Sequence, residues 1–160
     1  MASKSKSTPA GDPGVRVKRG YGGISPADRD AMRRQQLITA GIAEFGENGY
    51  SATTIESLCG EARVSTRDFY SYFKSKEALM LAVYDFIIER SMSAVAEAVA
   101  EADLRAAGDP IGVIHAGIGA FAESMARDER WARINFIEVV GVSSRVELRR
   151  REAIHNFAQL

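Results

Sequence analysis

The chain predicts an all-α fold, on three observations. Apolar residues recur three and four apart through several long stretches. No stretch alternates apolar and polar with the period of two that a strand needs, and no internal repeat is present. Helix-start signals stand ahead of the apolar stretches, at Ser25-Pro26, Thr53, Ser65, Ser75, Asp109-Pro110 and Ser144.

Residues 1–24 hold Lys4, Lys6, Arg16, Lys18 and Arg19 among Ser, Gly and Pro. Too little apolar surface is present to order this stretch, so it reads as a disordered basic arm. The first helix starts with Ser25 as cap, Pro26 in the first turn and Asp28 at the third position. Ile38, Ile42 and Phe45 form its buried stripe, and Asn48-Gly49 stops it near Glu47. Arg29, Arg33 and Arg34 lie near its start, and Tyr50 is expected to pack on the core.

Two short helices come next. Thr53 caps the first with Glu56 closing a capping box, and Ile55, Leu58 and Cys59 share one face. Ala62, Arg63 and Val64 form the turn, with Arg63 where glycine would be easiest if φ is positive. Ser65 caps the second helix with Asp68 as its box partner. Phe69 and Phe73 pin that helix from behind, while Thr66, Arg67, Tyr70, Ser71 and Tyr72 carry hydrogen-bonding tips on its front. Lys74 and Lys76 come directly after it. A short helix with an anchored back and a donor-rich front suits the DNA major groove, where its N-terminal residues reach base edges and its flanks hold phosphates.

Residues 33–81 resemble the DNA-binding domain of TetR-type transcriptional regulators. The matching pieces are Ile42-Ala43-Glu44-Phe45, Asn48-Gly49-Tyr50, Ala52-Thr53-Thr54-Ile55, Val64-Ser65, Phe69-Tyr70-Ser71-Tyr72-Phe73 and Lys76-Glu77-Ala78-Leu79. The resemblance implies that Tyr70, Tyr72 and Lys76 meet the DNA backbone. It also implies a homodimer on a near-palindromic double-stranded operator, and a small-molecule effector that acts through a long helix. The DNA-contact set is therefore Thr53, Thr54, Ser65, Thr66, Arg67, Tyr70, Ser71, Tyr72, Lys74 and Lys76. The domain boundaries are 25–76 for the helix-turn-helix domain, with its motif at 54–73, and 77–160 for a helical regulatory domain. Members of the family normally continue with two further helices that build the dimer interface. This sequence does not hold them, so a partial regulatory domain is expected.

Ser75 caps the long helix, predicted from Lys76 to about Asp103, with Leu79, Val83, Tyr84, Ile87, Ile88 and Met92 as its apolar stripe. After a break at Ala106-Ala107-Gly108, Asp109-Pro110 starts a helix whose stripe is Ile111, Ile114, Ile118, Phe121 and Met125. Asp128 opens a segment containing Trp131, Ile134, Phe136, Ile137, Val139 and Val140, which Gly141 breaks. Ser144 with Glu147 caps a last helix, with Ala153, Phe157 and Leu160 in its stripe, expected to run to the chain end.

Composition narrows the function class. With 46% hydrophobic and 26% charged residues, the 160-residue chain has a soluble balance and can bury a core. No apolar run is long enough to span a bilayer, and the basic N-terminus lacks the apolar stretch of a secretory signal. The lone Cys59 excludes an internal disulfide and fits a reducing cytosol, and the resemblance implies a cytoplasmic, nucleoid-associated protein. Residues 1–76 hold 12 Lys/Arg and 8 Asp/Glu, a net of +4; residues 77–160 hold 9 and 13, a net of −4. That asymmetry fits DNA contact at one end.

No catalytic constellation is present: His115 and His155 lack metal-ligand neighbours, and no phosphate loop or nucleophile elbow is found. An enzyme is not expected, nor a metal or cofactor beyond an unidentified small-molecule effector. Candidates for the effector's pocket are Tyr84, Met92, His115, Phe121, Met125, Trp131, Asn135, Phe136 and Glu138, each of which also suits an ordinary helical core. Asn135 and Glu138 stand out as polar groups in an apolar segment. The competing reading is a helical ligand-binding or protein-interaction module that does not engage DNA.

Overall fold

A computed structural model describes residues 25–105 and 108–159. The described residues form seven α-helices and no strand. They are α1 (Pro26–Asn48), α2 (Ile55–Ala62), α3 (Thr66–Tyr72), α4 (Lys76–Arg105), α5 (Pro110–Ala126), α6 (Glu129–Arg133) and α7 (Ser144–Phe157). A π-helical turn, Ile134–Glu138, continues directly from α6. The basic arm, Ala106, Ala107 and Leu160 lie outside the described residues.

Most starts agree with the sequence. Ser25 accepts the Asp28 amide at the head of α1, with Pro26 in the first turn. Ser65 and Asp68 close a reciprocal capping box on α3. The Ser75 hydroxyl accepts the Ala78 amide at the head of α4, and Asp109 caps α5 through the Gly112 amide. Gly49, at φ 84°, ends α1, and its amide bonds the Phe45 carbonyl.

Two caps lie one residue away from their predicted positions. Thr54, not Thr53, caps α2, and its box partner is Ser57 rather than Glu56. Ser143, not Ser144, caps α7 through the Val146 amide, while Glu147 accepts from the Gly141 amide instead. In each case two adjacent hydroxyl residues compete. Tertiary demand decides: the Thr53 hydroxyl donates to the Gly49 carbonyl at 2.8 Å, and the Ser143 hydroxyl reaches Glu77 on α4 at 3.1 Å. Helix α7 stops at Phe157 rather than continuing through the chain end, with Ala158 as its cap.

The main core joins the N-terminal helices to α4. Leu37, Phe45, Leu58, Phe69, Leu79, Val83 and Ile134 are completely buried in it. A second cluster of Tyr84, Ile88, Val139, Val146 and Ala153 packs α7 and the end of the π turn on α4. Helix α1 meets its neighbours closely at two glycines. A Cβ on Gly41 would lie 2.7 Å from a Val83 methyl, and one on Gly46 would lie 2.4 Å from the Arg130 Cβ. The bare backbone of Gly46 is what lets α6 rest on α1.

The predicted apolar stripe of α5 faces this core only at its C-terminal end, where Met125 is buried and Phe121 packs against it. Ile111, Ile114 and Ile118 are exposed, and the buried positions are Gly117, Ser124 and Met125. Small groups set this face: the Ser124 hydroxyl bonds Ser91 of α4 at 3.0 Å, and Gly117 closes on Val99. Close approach between α4 and α5 thus selects small residues for the inner side and leaves the branched ones outside.

Candidate nucleic-acid interface

The outward face is built on α2, its turn and α3. Helix α2 ends at Arg63, which takes the left-handed conformation at φ 53°. Arg63 is the one non-glycine residue with positive φ among the described residues. Its amide and that of Val64 close onto Cys59 and Gly60 carbonyls, which satisfies the helix end and swings the chain into α3. The strain of a side chain at this φ, on the order of 1 kcal/mol, is offset by that closure. Cys59 is buried behind the turn, and burial pushes its thiol up. It packs as a small apolar residue.

Helix α3 has the predicted back and, apart from the half-buried Tyr72, the predicted front. Phe69 is completely buried, with Tyr70 edge-on at 5.5 Å and Phe73 at 6.1 Å. Phe73 lies one residue beyond the helix, in extended backbone, and remains buried. Ser65, Thr66, Arg67, Tyr70 and Ser71 are exposed, Tyr70 by 53%. The Ser71 hydroxyl donates to the Arg67 carbonyl at 3.1 Å, leaving its oxygen lone pairs outward. Lys74 and Thr54 are also exposed.

Asp68 serves the cap rather than the front. Hydrogen bonds from Ser65 hold its carboxyl below the usual carboxylate range, and Arg33 of α1 stands 3.8 Å away. Tyr72 is tied to α1 as well, its phenol donating to Asp30 at 2.9 Å, and that bond pushes its ionisation up. Arg34 lies over the Phe73 ring at 5.3 Å. Helix α1 therefore braces α3 at three points, which fixes the angle of the front.

Two predicted contacts need correction. Thr53 is 3% exposed, and its hydroxyl is turned to the Gly49 and Glu44 carbonyls, so no surface remains for a phosphate. The Lys76 ammonium donates to the Tyr50 and Thr53 carbonyls, each at 2.7 Å, and lies over the Tyr50 ring at 4.4 Å. Two of its three donors are occupied, and its main role is to tie the loop before α2 to the head of α4. Two further cations border the face: the first, Arg63, which the sequence reading placed only in the turn, is exposed just before α3, and Arg33, one of the arginines noted at the start of α1, keeps half its side chain open. An arginine at a turn position is the available signal for the first.

Of the nine pocket candidates, Tyr84, Phe121, Asn135 and Phe136 come together around one cavity between α4, α5 and α7. The other five go elsewhere. Met125 is buried in the main core, and Trp131 packs edge-on to Phe86 at 6.1 Å. His115 is exposed, and Met92 flanks the second core cluster. Glu138 accepts the Tyr50 amide at 2.8 Å and the Arg133 guanidinium at 3.0 Å. Arg133 in turn reaches the Glu47 carbonyl, and Arg130 the Glu47 carboxylate. Glu138 thus joins the π turn to the loop that Lys76 holds from the other side. Among the described residues, no helix is long and apolar enough to cross a membrane, and no group of three metal-ligating side chains is found.

Comparison with known proteins agrees with this geometry. Residues 37–83 match the family described as bacterial regulatory proteins, tetR family. The HTH-type transcriptional regulator YerO of Bacillus subtilis is 38% identical over 61 residues, which are 38% of this chain and 21% of that protein. The HTH-type transcriptional activator FasR of Mycolicibacterium smegmatis is 31% identical over 104 residues, 65% of this chain and 45% of that one. The chain thus spans less than half the length of either relative. Among solved structures, the fatty acid degradation regulator FadR of Bacillus halodurans superposes with a TM-score of 0.69 at 18% identity, covering 84% of this chain and 64% of that one. FadR of Bacillus subtilis, solved with stearoyl-CoA, gives 0.57 at 21% identity, covering 77% and 63%. These likenesses establish the shared all-helical fold.

Proposed function

We propose, from the premise that the chain belongs to the tetR family of bacterial regulatory proteins, that it is a sequence-specific, double-stranded-DNA-binding transcriptional regulator, a repressor released by a small molecule. One observation carries the DNA reading: α3 turns Thr66, Arg67, Tyr70 and Ser71 outward while Phe69 holds it from behind. Thr66, Arg67 and Ser71 meet base edges. Tyr70 and Lys74 position the phosphates, with Thr54, Arg63 and Arg33 at the borders. The protein acts in the cytoplasm, as a homodimer on two half-sites of a near-palindrome, one helical turn or a multiple of it apart.

The sensing arm is the cavity beside Asn135. Asn135 and Glu138 share one π turn. Through Glu138 that turn holds the Tyr50 amide, and the Tyr50 carbonyl holds Lys76 at the start of α4. A ligand that shifts the π turn therefore acts on the loop that orients α2 and α3. For such coupling an effector must favour one position of this π turn over another.

The test is selection of bound duplexes from a random pool, then salt titration of the selected sequence. Binding should fall with salt in proportion to the phosphates contacted. Arg67→Ala should cost roughly 1–3 kcal/mol on the preferred site and relax one base position. Absence of salt-dependent binding to any duplex favours the interaction-module reading instead.

A further inference from the structure

We infer that the cavity takes a single-chain carboxylate, its head held by Arg150 and Tyr84 and its alkyl tail laid along the groove between α4, α5 and α7. This names a ligand class for the sensing cavity proposed above and rests on that reading. Two hollows run into one another here, because Phe121, Ile154 and Phe157 line both. The inner one, about 100 Å³, has Arg150 and Tyr84 in its wall. The outer one, about 460 Å³, opens along α5.

Two helices lay out the same order of groups. On α7, Arg150, Ile154 and Phe157 follow at four- and three-residue spacing, so they share one face, with the cation at its N-terminal end. On α4, Tyr84 is followed along the cavity by Ile88, Val95 and Val99. Helix α5 forms the third wall from Val113 to Phe121, about two turns. The outer walls have no hydroxyl, amide or charge among their side chains. A ligand lying there gains only from apolar contact, so that part of it is hydrocarbon. Its polar part then lies at the inner end, where the two donors stand.

The sign of the head follows from which nearby charges are already committed. The Arg149 guanidinium is held by Asp85 at 2.6 Å. Arg150 is the cation in the wall of the hollow, and its one ion-pair contact among the described residues, to Glu147, is 3.5 Å, the limit of hydrogen-bond distance. Glu147 also accepts the Gly141 amide. Tyr84 is buried, and among the described residues its hydroxyl has no hydrogen-bond partner. Burial pushes its ionisation up, against Arg149 and Arg150, so the phenol is an O–H donor at neutral pH. Two donors short of acceptors, one of them a guanidinium, select an anionic acceptor. A carboxylate offers an oxygen to each. An ammonium head brings a second cation to Arg150 and satisfies neither donor. Asn135 and Phe136 of the π turn stand in the same wall, so a head placed here touches the turn that the sensing reading moves.

The experiment is calorimetric titration of the full chain with decanoate, its methyl ester and decylammonium at neutral pH, repeated at raised salt. Decanoate should bind about tenfold more tightly than the ester, which keeps the chain and the carbonyl but lacks the charge. Raised salt should weaken decanoate and leave the ester unchanged. Decylammonium should bind most weakly. Hexanoate should lose up to about fourfold for each methylene removed. Arg150→Gln should bring decanoate down to the level of the ester, and Tyr84→Phe should weaken decanoate by about threefold. Equal binding of decanoate and ester to the unaltered chain, or tighter binding of decylammonium, overturns the carboxylate assignment. Binding of none of the three overturns the inference; if Ile118→Asp then also lowers the mass of the sedimenting species, a second copy of the chain fills the groove instead. Decanoate that binds as expected without changing the affinity for the selected duplex upholds the carboxylate site and removes its sensing role. The decanoate–ester comparison on the unaltered chain decides even where a variant fails to fold.

Discussion

The two ends of the molecule are built on opposite principles. Around α1, α2 and α3, large apolar side chains are completely enclosed, and polar groups are turned out: Leu37, Phe45, Leu58 and Phe69 inside, Thr66, Arg67 and Ser71 outside. Around α5, small residues are enclosed, and branched ones are turned out: Gly117 and Ser124 inside, Ile111, Ile114 and Ile118 outside. The first arrangement holds a surface rigid against a large polar partner. The second leaves apolar surface uncommitted. Rigidity and receptivity are thus separated along α4, whose 30 residues run from one end to the other.

The largest expected effect breaks the rigid end. Phe69→Ala should destabilise the fold by roughly 3–5 kcal/mol, read from denaturant midpoints, because nothing adjacent can fill the space. Ile118→Ala, of similar chemistry on the receptive end, should change stability by no more than about 0.5 kcal/mol. Equal losses at the two sites would erase the distinction.

Gly46→Val attacks the joint between the ends. The new side chain meets Arg130 where a Cβ alone stands at 2.4 Å, so α6 must lift from α1, at a cost of about 1–3 kcal/mol. Hydrogen exchange should quicken at the Tyr50 amide, which Glu138 holds, and stay slow at the Phe69 amide inside α3.

A smaller change has the opposite sign. Arg63→Gly relieves the positive φ at the turn and should stabilise the motif by up to about 1 kcal/mol. It also removes a cation beside α3, so the slope of DNA affinity against salt should become shallower by about one unit if Arg63 meets a phosphate. Gains in stability accompanied by an unchanged slope would confine Arg63 to the fold.

The smallest effect comes from pH. Asp128 holds Arg130 by three side-chain contacts, the shortest at 2.8 Å, and the hydrogen bonds from Arg130 keep its carboxyl below the usual carboxylate range. Asp68 is shifted the same way by Ser65. A carboxyl whose pKa is lower folded than unfolded favours the fold fully above its ordinary value, near pH 4, and loses that contribution as pH falls through the folded value. Stability should therefore be flat from neutrality down to about pH 5 and decline below it. Asp128→Asn should lower the neutral plateau towards the acid value and so flatten the acid limb.

The rigid end is largely legible in the sequence. Local rules govern Ser65, Asp68, Phe69 and the Arg63 turn, because caps and four-residue spacings act within a few residues of chain. Where sequence and structure part, a group outside the local pattern has intervened. Thr53 and Thr54 are equally able to cap, and the Gly49 and Glu44 carbonyls at the end of α1 draw the Thr53 hydroxyl away. Lys76 looks like a free cation until the carbonyls of Tyr50 and Thr53 are brought to it by the fold. At the receptive end, periodicity locates α5 correctly but not its inner face. A stripe of isoleucine reads as core, yet close contact with α4 through Ser91 and Val99 favours serine and glycine there. Of the polar pair in the π turn, Asn135 reaches the cavity and Glu138 the opposite neighbour, a division that spacing alone does not reveal.

The π turn at Ile134–Glu138 has a consequence for how this chain tolerates insertion and loss. A wide turn accommodates one residue more than α-helical winding would. Deleting one residue ahead of Glu138 would let the segment rewind as α-helix with the downstream register kept, so Val139 would stay in the second core cluster. Deleting one residue from the α-helical winding of α7 would instead rotate everything after it by about 100°. The π turn is thus the place in this half of the chain where a single missing codon is absorbed rather than passed on.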